Sequence, residues 1–339
     1  MEKIRLSAQT NRIIKLYKRL IPFSNISDAE WDQLKKFNNM DFSTNKIFRK
    51  LYRPVVKNIS VDPFIIPVSP SNTMGGYLFR YMKQNNSVNS LIIYLHNGGW
   101  TTGNPDIYCA ICSNICKQTG STVLALDYRL APEHKFPTAV YDCLQAYMWA
   151  YNGTAYWRVD PDKIYLMGHC AGANLCAAVS LLIRDLKHPK PAGQILIDPI
   201  TDCRMRTNSH EKYKDNPILS QQDLIYFINN YQKEPKDIFD PLFSPLLSQD
   251  NSRLEKTLIL ASEIDPLYDD AVLYANALKE ADTPVKLLKC SNMVHGFINF
   301  PSSKNWKNIM CTISMFVKDR NIKSLDIYTK SERKERKKV

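Results

Sequence analysis

The sequence predicts an α/β protein built on a mostly parallel central sheet. Short apolar runs, rich in β-branched residues, alternate with longer helical patterns through most of the chain. The runs are apolar on both faces, as expected of strands that are covered by helices on both sides. Connections of helix length between such runs are typical of parallel strands joined by right-handed crossovers.

The elements follow in a regular order. The predicted strands are Leu91–Leu95, Thr122–Asp127, Ile164–Met167, Ile195–Ile197, Leu258–Ala261 and Val285–Leu288. The predicted helices lie near residues 105–118, 138–151, 173–186, 267–281 and 305–318. Two regions do not fit this alternation, and both contain helical patterns without strands. We therefore predict one domain over residues 1–318, with cap elements at about 1–50 and 201–245, followed by a basic tail at 319–339.

Composition limits the class of protein. The chain has 339 residues, of which 44% are hydrophobic and 23% charged, and this excludes a disordered chain, a collagen-like fibre and a disulfide mini-protein. Its formal net charge of +12 is concentrated at the two ends, because residues 58–317 contain 23 Lys and Arg against 24 Asp and Glu. A nearly neutral body without a nucleic-acid motif argues against a nucleic-acid partner.

Cysteine usage and the amino terminus indicate the compartment. The nine cysteines are odd in number and irregularly spaced, which favours a reducing environment. Cys109, Cys112 and Cys116 share one helical face, but no matching Cys/His pair lies nearby in sequence, so core packing is predicted rather than a metal site. With neither a signal-peptide core nor a membrane-spanning run, we predict a cytoplasmic protein with no transmembrane segment.

Chemistry-bearing residues follow the predicted strands directly. The run ending at Leu95 leads into His96-Asn97-Gly98-Gly99-Trp100, where paired glycines let backbone N–H groups point into a pocket. The run ending at Met167 leads into Gly168-His169-Cys170-Ala171-Gly172 and then an apolar helix. This is the form of a sharp strand-to-helix turn that presents a nucleophile between small residues.

An acid and a histidine follow the last two strands. Asp265 comes after the run ending at Ala261, and His295 comes after the final strand. The chain order of nucleophile, acid and histidine, each at the end of a strand, is typical of a hydrolase triad. Asp198 and Asp202 are weaker alternatives for the acid.

The motifs together resemble the hormone-sensitive-lipase-like (bacterial type IV) branch of the α/β-hydrolase carboxylesterases. The resemblance covers about residues 75–317 and also depends on Asp127–His134, on Phe136 with Pro137, and on Asp142. It implies an α/β-hydrolase fold with a helical cap, a small acyl ester as substrate, and neither a metal nor an organic cofactor. A homodimer is a further expectation from the family.

The resemblance also implies roles for individual residues. Cys170 would be the nucleophile, His295 the general base and Asp265 the acid that orients it. The oxyanion hole would be formed by the backbone N–H groups of Gly98, Gly99 and Ala171. Candidate pocket residues are Trp100, His169, Phe227 and Phe297, although aromatic residues near a cap are equally common in ordinary core.

The chain departs from the family pattern at several positions. The family usually has Ser at the position of Cys170, Gly at those of Asn97 and Ala173, and Asp at that of His169. Three explanations of Cys170 stay open: a natural cysteine enzyme acting on thioesters, activated esters or lactones, an esterase of modest rate, or a laboratory exchange of serine for cysteine. A natural cysteine enzyme is favoured, because the positions next to Cys170 also differ from the family pattern.

Three functions follow in order of preference. The first is hydrolysis of short- or medium-chain acyl esters through an acyl-enzyme; a formamidase-like amide is a more distant substrate. The second is acyl transfer or thioester hydrolysis, because an acyl-thioenzyme can persist until an acceptor or an acyl carrier competes with water. The third is a non-catalytic small-ligand-binding protein, against which the intact His295 and Asp265 argue.

Overall fold

The computed structural model describes residues 11, 14–15, 31–39, 56–82, 89–103, 105–299 and 306–319. Eight strands form a single sheet in the order β1-β2-β4-β3-β5-β6-β7-β8. The strands are β1 Ile59–Ser69, β2 Asn72–Tyr81, β3 Asn89–Leu95, β4 Thr122–Asp127, β5 Val159–His169, β6 Gly193–Ile197, β7 Thr257–Ile264 and β8 Val285–Val294. All neighbouring pairs from β4 to β8 in this order are parallel.

All six predicted strands are confirmed, and β1 and β2 are additional. They form an antiparallel hairpin whose second strand pairs with β4, also antiparallel. The sequence does not predict β1 because Pro63 and Pro67 interrupt an otherwise strand-like run. The burial of its residues in the structure is also irregular along the strand. An edge strand tolerates prolines because one of its sides has no partner strand.

Helices cover both faces of this sheet. They are α1 Trp31–Asn38, α2 Pro105–Thr119, α3 Thr138–Asn152, α4 Thr154–Trp157, α5 Ala171–Asp185, α6 Asn208–Lys212, α7 Gln221–Tyr231, α8 Tyr268–Glu280 and α9 Trp306–Val317. The five predicted helices of the alternating region correspond to α2, α3, α5, α8 and α9. None of the helices in the described part of the chain is both long and apolar enough to span a membrane.

Two large apolar clusters, one on each face of the sheet, make up most of the core among the described residues, and a small third cluster includes Tyr213 and Ile264. Alternate residues of β3 separate the two large clusters, because Leu91 and Ile93 belong to one cluster while Ile92 and Tyr94 belong to the other. Cys112 and Cys116 lie buried in the second cluster, as predicted for core residues. All nine cysteines lie within the described residues and carry free thiols.

Two segments outside the alternation lie beside the loop after β3. The side chain of Asn38 in α1 donates to the carbonyl oxygen of Thr101 at 3.2 Å and accepts from the amide of Gly103 at 3.0 Å. The region 201–245 contains α6, α7 and two short 3-10 turns, and Tyr231 at the end of α7 stacks on Trp100. Most of residues 1–50 and nearly all of the predicted basic tail lie outside the described residues.

Candidate active site

Cys170 occupies a sharp turn between β5 and α5. Its backbone has φ 55° and ψ −116°, and its amide donates to the carbonyl oxygen of Ile197 at 2.9 Å. The flanking glycines are required sterically, because a Cβ on Gly172 would lie 2.0 Å from the carbonyl oxygen of Leu95 and one on Gly168 would lie 2.2 Å from the backbone of Gly172. The turn therefore fixes the Cys170 thiol at the amino terminus of α5, where a negative charge is stabilised.

His295 and Asp265 meet beside this turn. The Nδ1 atom of His295 lies 2.7 Å from Oδ2 of Asp265, and Asp265 Oδ1 accepts from the amide of Leu267 at 2.9 Å. Cys170 also lies close enough to His295 to raise the pKa of the imidazole. The structure thus brings together the three residues that the sequence places at the ends of three different strands.

The electrostatics of this group favour a charged imidazole. Burial by itself would lower the pKa of His295, but the negative charges of Asp265 and of Cys170, together with the hydrogen bond to Asp265, raise that pKa well above the ordinary value. A protonated imidazole beside the nucleophile can donate its proton to a leaving group. The arrangement can therefore supply a nucleophile and a proton donor together.

The loop after β3 that contains Gly98 and Gly99, called the glycine loop, starts next to the turn that carries Cys170. In the parallel pairing of β3 and β5, Leu95 lies opposite Gly168, so both loops leave the sheet side by side. Gly98 and Gly99 have φ values of 119° and 56°, in the region that glycine favours. The Gly98 carbonyl oxygen accepts from the amides of Thr101 and Thr102 at 3.1 and 2.9 Å, which holds the loop in a tight turn.

Two of the candidate pocket residues lie in the same apolar cluster as Cys170. The ring of Phe227 packs directly on Gly99, where a Cβ would lie 2.0 Å from it. The indole of Trp100 stacks on Tyr231 with ring centroids 4.5 Å apart and lies 5.7 Å from Phe243. The region 201–245 therefore provides apolar groups that cover the glycine loop.

The other two candidate pocket residues, His169 and Phe297, lie outside that apolar cluster. His169 is fully buried, and its ring centroid lies 5.1 Å from that of His295. Phe297 packs in the cluster of the opposite sheet face, which also contains Trp306 and Ile309 of α9. The structure thus does not bring Phe297 together with Phe227 and Trp100, because the 3-10 turn after His295 directs it toward α9.

The alternative acids occupy different surroundings. Asp202 forms an ion pair with Arg204 at 2.7 Å. Asp198 is buried beside His169 and accepts hydrogen bonds from Ser262 and Gly296. Of these carboxylates, it is Asp265 that accepts from the His295 ring.

One group in the described part of the chain has the residue types of a metal site. Donor atoms of His169, Asp198 and His295 lie within 4.8 Å of one another. The Asp265 carboxylate already binds Nδ1 of His295, and three protein donors surround the Asp198 carboxylate. We therefore assign Asp198 and His295 to the hydrogen-bond network of the site, and His169 to packing against the His295 ring, rather than to metal ligation.

Framework residues support the loops around the site. Arg129 binds Asp142 through two hydrogen bonds of 2.9 and 2.6 Å, and Glu133 pairs with Lys35 at 3.1 Å. The His96 ring lies parallel to Tyr128, with centroids 4.2 Å apart. These contacts agree with structural rather than chemical roles for Arg129, Glu133 and His96.

Known proteins are similar to this chain in sequence and fold. A family model for the alpha/beta hydrolase fold matches residues 92–299. An arylesterase of Saccharolobus solfataricus is 36% identical over 246 residues, which cover 71% of this chain and 78% of the relative. An ethyl acetate hydrolase of Pseudomonas putida is 34% identical over 212 residues, covering 62% of this chain and 67% of the relative. The structure of a hyperthermophilic esterase from Pyrobaculum calidifontis matches with a TM-score of 0.82 and 27% identity, covering 93% of this chain and 99% of that chain.

The fold and these matches define an α/β-hydrolase, as the sequence predicts. Within that family the chain belongs to the hormone-sensitive-lipase-like carboxylesterases, and its class of enzyme is carboxylic ester hydrolase.

Proposed function

We propose that the protein hydrolyses short- or medium-chain acyl esters through a Cys170-His295-Asp265 triad. The observation that carries this proposal is the 2.7 Å contact between Asp265 Oδ2 and His295 Nδ1, beside the turn that holds Cys170 near enough to act on the imidazole. A binding protein would have no need of a buried carboxylate, imidazole and thiol in that order.

The first half of the reaction forms an acyl-thioenzyme. The Cys170 thiolate attacks the ester carbonyl carbon, and the π electrons move to oxygen to give a tetrahedral oxyanion. The backbone N–H groups of Gly98, Gly99 and Ala171 stabilise this oxyanion. When the intermediate collapses, the carbon–oxygen bond to the leaving group breaks, and the alkoxide takes the proton of His295.

The second half regenerates the enzyme. Neutral His295 accepts one proton from a water molecule, whose oxygen attacks the thioester carbonyl carbon. Collapse of the second oxyanion breaks the carbon–sulfur bond and releases the carboxylic acid. Cys170 is again a thiolate and His295 again an imidazolium, held by Asp265.

Acyl transfer is the second candidate, and the burial of the site favours it. Cys170 and His295 are only 4% and 5% exposed. Because a dry site slows hydrolysis, an alcohol, amine or thiol acceptor could take the acyl group in place of water. Adding glycerol to the assay distinguishes the two reactions, since transfer lowers the yield of free acid without lowering the release of the leaving group.

The test of the proposed function is a p-nitrophenyl butyrate assay on three variants. We expect Cys170→Ala to lose at least about 1000-fold in kcat/KM, because the variant lacks the proposed nucleophile that forms the acyl-enzyme. Cys176→Ala, which removes a buried thiol from the same helix, is the matched control and should keep its activity. Equal activity in Cys170→Ala and the unaltered protein would contradict the nucleophile.

The remaining variant addresses the origin of the cysteine. Cys170→Ser restores the family's hydroxyl in the same turn. A large gain in rate on simple esters would show that the site is shaped for serine, whereas a loss would favour natural use of the thiol. Complete inactivity of the unaltered protein on esters and thioesters, with retained ligand binding, would favour the binding-protein alternative.

A further inference from the structure

A second buried carboxylate reaches the catalytic histidine from another side. Asp198 directly follows β6 and has φ 44°, an uncommon conformation for a residue with a side chain. Its side chain is fully buried, and one of its oxygens lies within 4.8 Å of a ring nitrogen of His295. The triad does not use this group.

Asp198 holds the backbone on both sides of His295. Its Oδ2 atom accepts from the amide of Gly296 at 3.2 Å. The Ser262 hydroxyl lies 3.1 Å from the same carboxylate oxygen and 3.0 Å from the carbonyl oxygen of Val294, and the Ser262 amide donates to Oδ1 at 2.8 Å. One carboxylate therefore connects the ends of β6, β7 and β8 around the residue that moves the proton.

His169 lies buried against this carboxylate. Its Nε2 atom lies 3.8 Å from Oδ2 of Asp198, and neither of its ring nitrogens has a hydrogen-bond partner among the described residues. Burial, followed by the positive charge of His295, lowers the pKa of His169 well below its ordinary value, so its ring is neutral. In this dry environment the charge of Asp198 is weakly screened.

The charged neighbours of Asp198 decide its ionisation. Asp265 and His295 face it from the loops after β7 and β8, His169 faces it from β5, and Cys290 faces it from β8. Burial and the charge of Asp265 raise the pKa of Asp198 to about 7, against the opposing effects of His295 and Ser262. Above neutral pH the carboxylate is therefore charged.

We propose that Asp198 is a second positioning carboxylate of the active site: it fixes the backbone around His295, and its negative charge stabilises the imidazolium form of that residue. This proposal rests on the proposed function, in which His295 carries the proton. It extends that function because the resemblance assigns the acid role to Asp265 alone.

The test measures the protonation of His295 without substrate. The protein is labelled with nitrogen-15 histidine, and the signals of His295 are assigned among the six histidines with a His295→Gln variant. In Asp198→Asn the pKa of His295 should fall by about one unit, because a negative charge within roughly 4–6 Å is removed. Ser262→Ala keeps the charge and removes only the hydroxyl contact, so it should leave that pKa unchanged.

Kinetics separate charge from structure in the same variants. Asp198→Asn should shift the alkaline limb of kcat/KM to lower pH, whereas Ser262→Ala should lower kcat/KM a few-fold without moving the limb. A purely structural Asp198 would give the same lowered rate in both variants with unchanged limbs, and that result would overturn the proposal.

The unaltered protein provides a measurement that does not depend on how the variants fold. Its His295 signals should show two inflections, the lower one near pH 7 from the ionisation of Asp198. A His295 pKa at or below the ordinary value of a histidine would overturn the proposal. Because these titrations require no turnover, the proposal can fail while the proposed function stands, and an inactive enzyme would not prevent the measurement.

Discussion

The ring of Phe227 rests on the backbone of Gly99. A Cβ at Gly99 would lie 2.0–2.4 Å from three atoms of that ring, so contact between α7 and the glycine loop requires a residue without a side chain. Phe227 is 3% exposed and belongs to the apolar cluster that contains Cys170. The Phe227 ring thus limits the space beside Gly99, whose backbone N–H is proposed to bind the oxyanion.

Removing this ring should change the preferred acyl length. In Phe227→Ala the space over Gly99 enlarges, and we expect the ratio of kcat/KM for octanoate over butyrate p-nitrophenyl esters to rise about tenfold. Ile225→Ala is the matched control, because Ile225 lies on the same helix and is 41% exposed. An unchanged ratio in Phe227→Ala would show that the acyl chain lies elsewhere.

The turn at Cys170 should not tolerate a methyl group at Gly172. Gly172→Ala forces a Cβ to within 2.0 Å of the Leu95 carbonyl oxygen, and we expect a loss of about 3 kcal/mol in the free energy of unfolding. Helix propensity alone would predict a gain. Denaturant unfolding measures the change, with Gly75→Ala as the control, since its Cβ would meet nothing nearer than 3.8 Å. Equal stability of the two variants would contradict the tight packing.

Stability should fall between pH 5 and pH 8.5 because of Asp270. Burial raises its pKa to about 8, although the amides of Thr201 and Asp202 donate to it. Since the unfolded pKa is about 3.9, the protonated group stabilises the fold at low pH, and that contribution is lost as pH rises toward 8.

Asp270→Asn should therefore lose less stability over this range. We expect its Tm to fall roughly 3–5 °C less than that of the unaltered protein between pH 5 and pH 8.5. Asp269→Asn, at the neighbouring position that accepts from the Ser209 amide at 2.8 Å, should instead lower Tm by the same amount at each pH. Parallel curves for Asp270→Asn and the unaltered protein would contradict the buried, protonated carboxylate.

Local patterns predict those parts of the molecule whose physical cause is local. The six buried strands are continuous apolar runs, and the turn at Cys170 carries its required glycines in five consecutive residues, so both can be read from the sequence. The hairpin of β1 and β2 is missed because an edge strand with prolines lacks that pattern. Its place depends on pairing with β4, which is distant in the chain.

Side-chain direction and contacts between residues distant in sequence explain the other differences between the predicted and the observed site. Phe297 lies two residues beyond His295 in sequence, yet the short turn places it on the opposite face of the sheet. Asp198 can be recognised as a candidate acid, but its contacts with Gly296 and Ser262 join residues 98 and 64 positions apart. No local pattern contains such a relationship.

The most direct test of the central claim is to trap the acyl group on Cys170. The protein is mixed with p-nitrophenyl butyrate, quenched in acid within milliseconds to seconds, digested and analysed by mass spectrometry. We predict one butyryl group on the peptide that contains Cys170, formed at the rate of the initial release of p-nitrophenol and absent in Cys170→Ala. Continued turnover with no acyl group on Cys170 at any time, or with the group on another residue, would contradict the account.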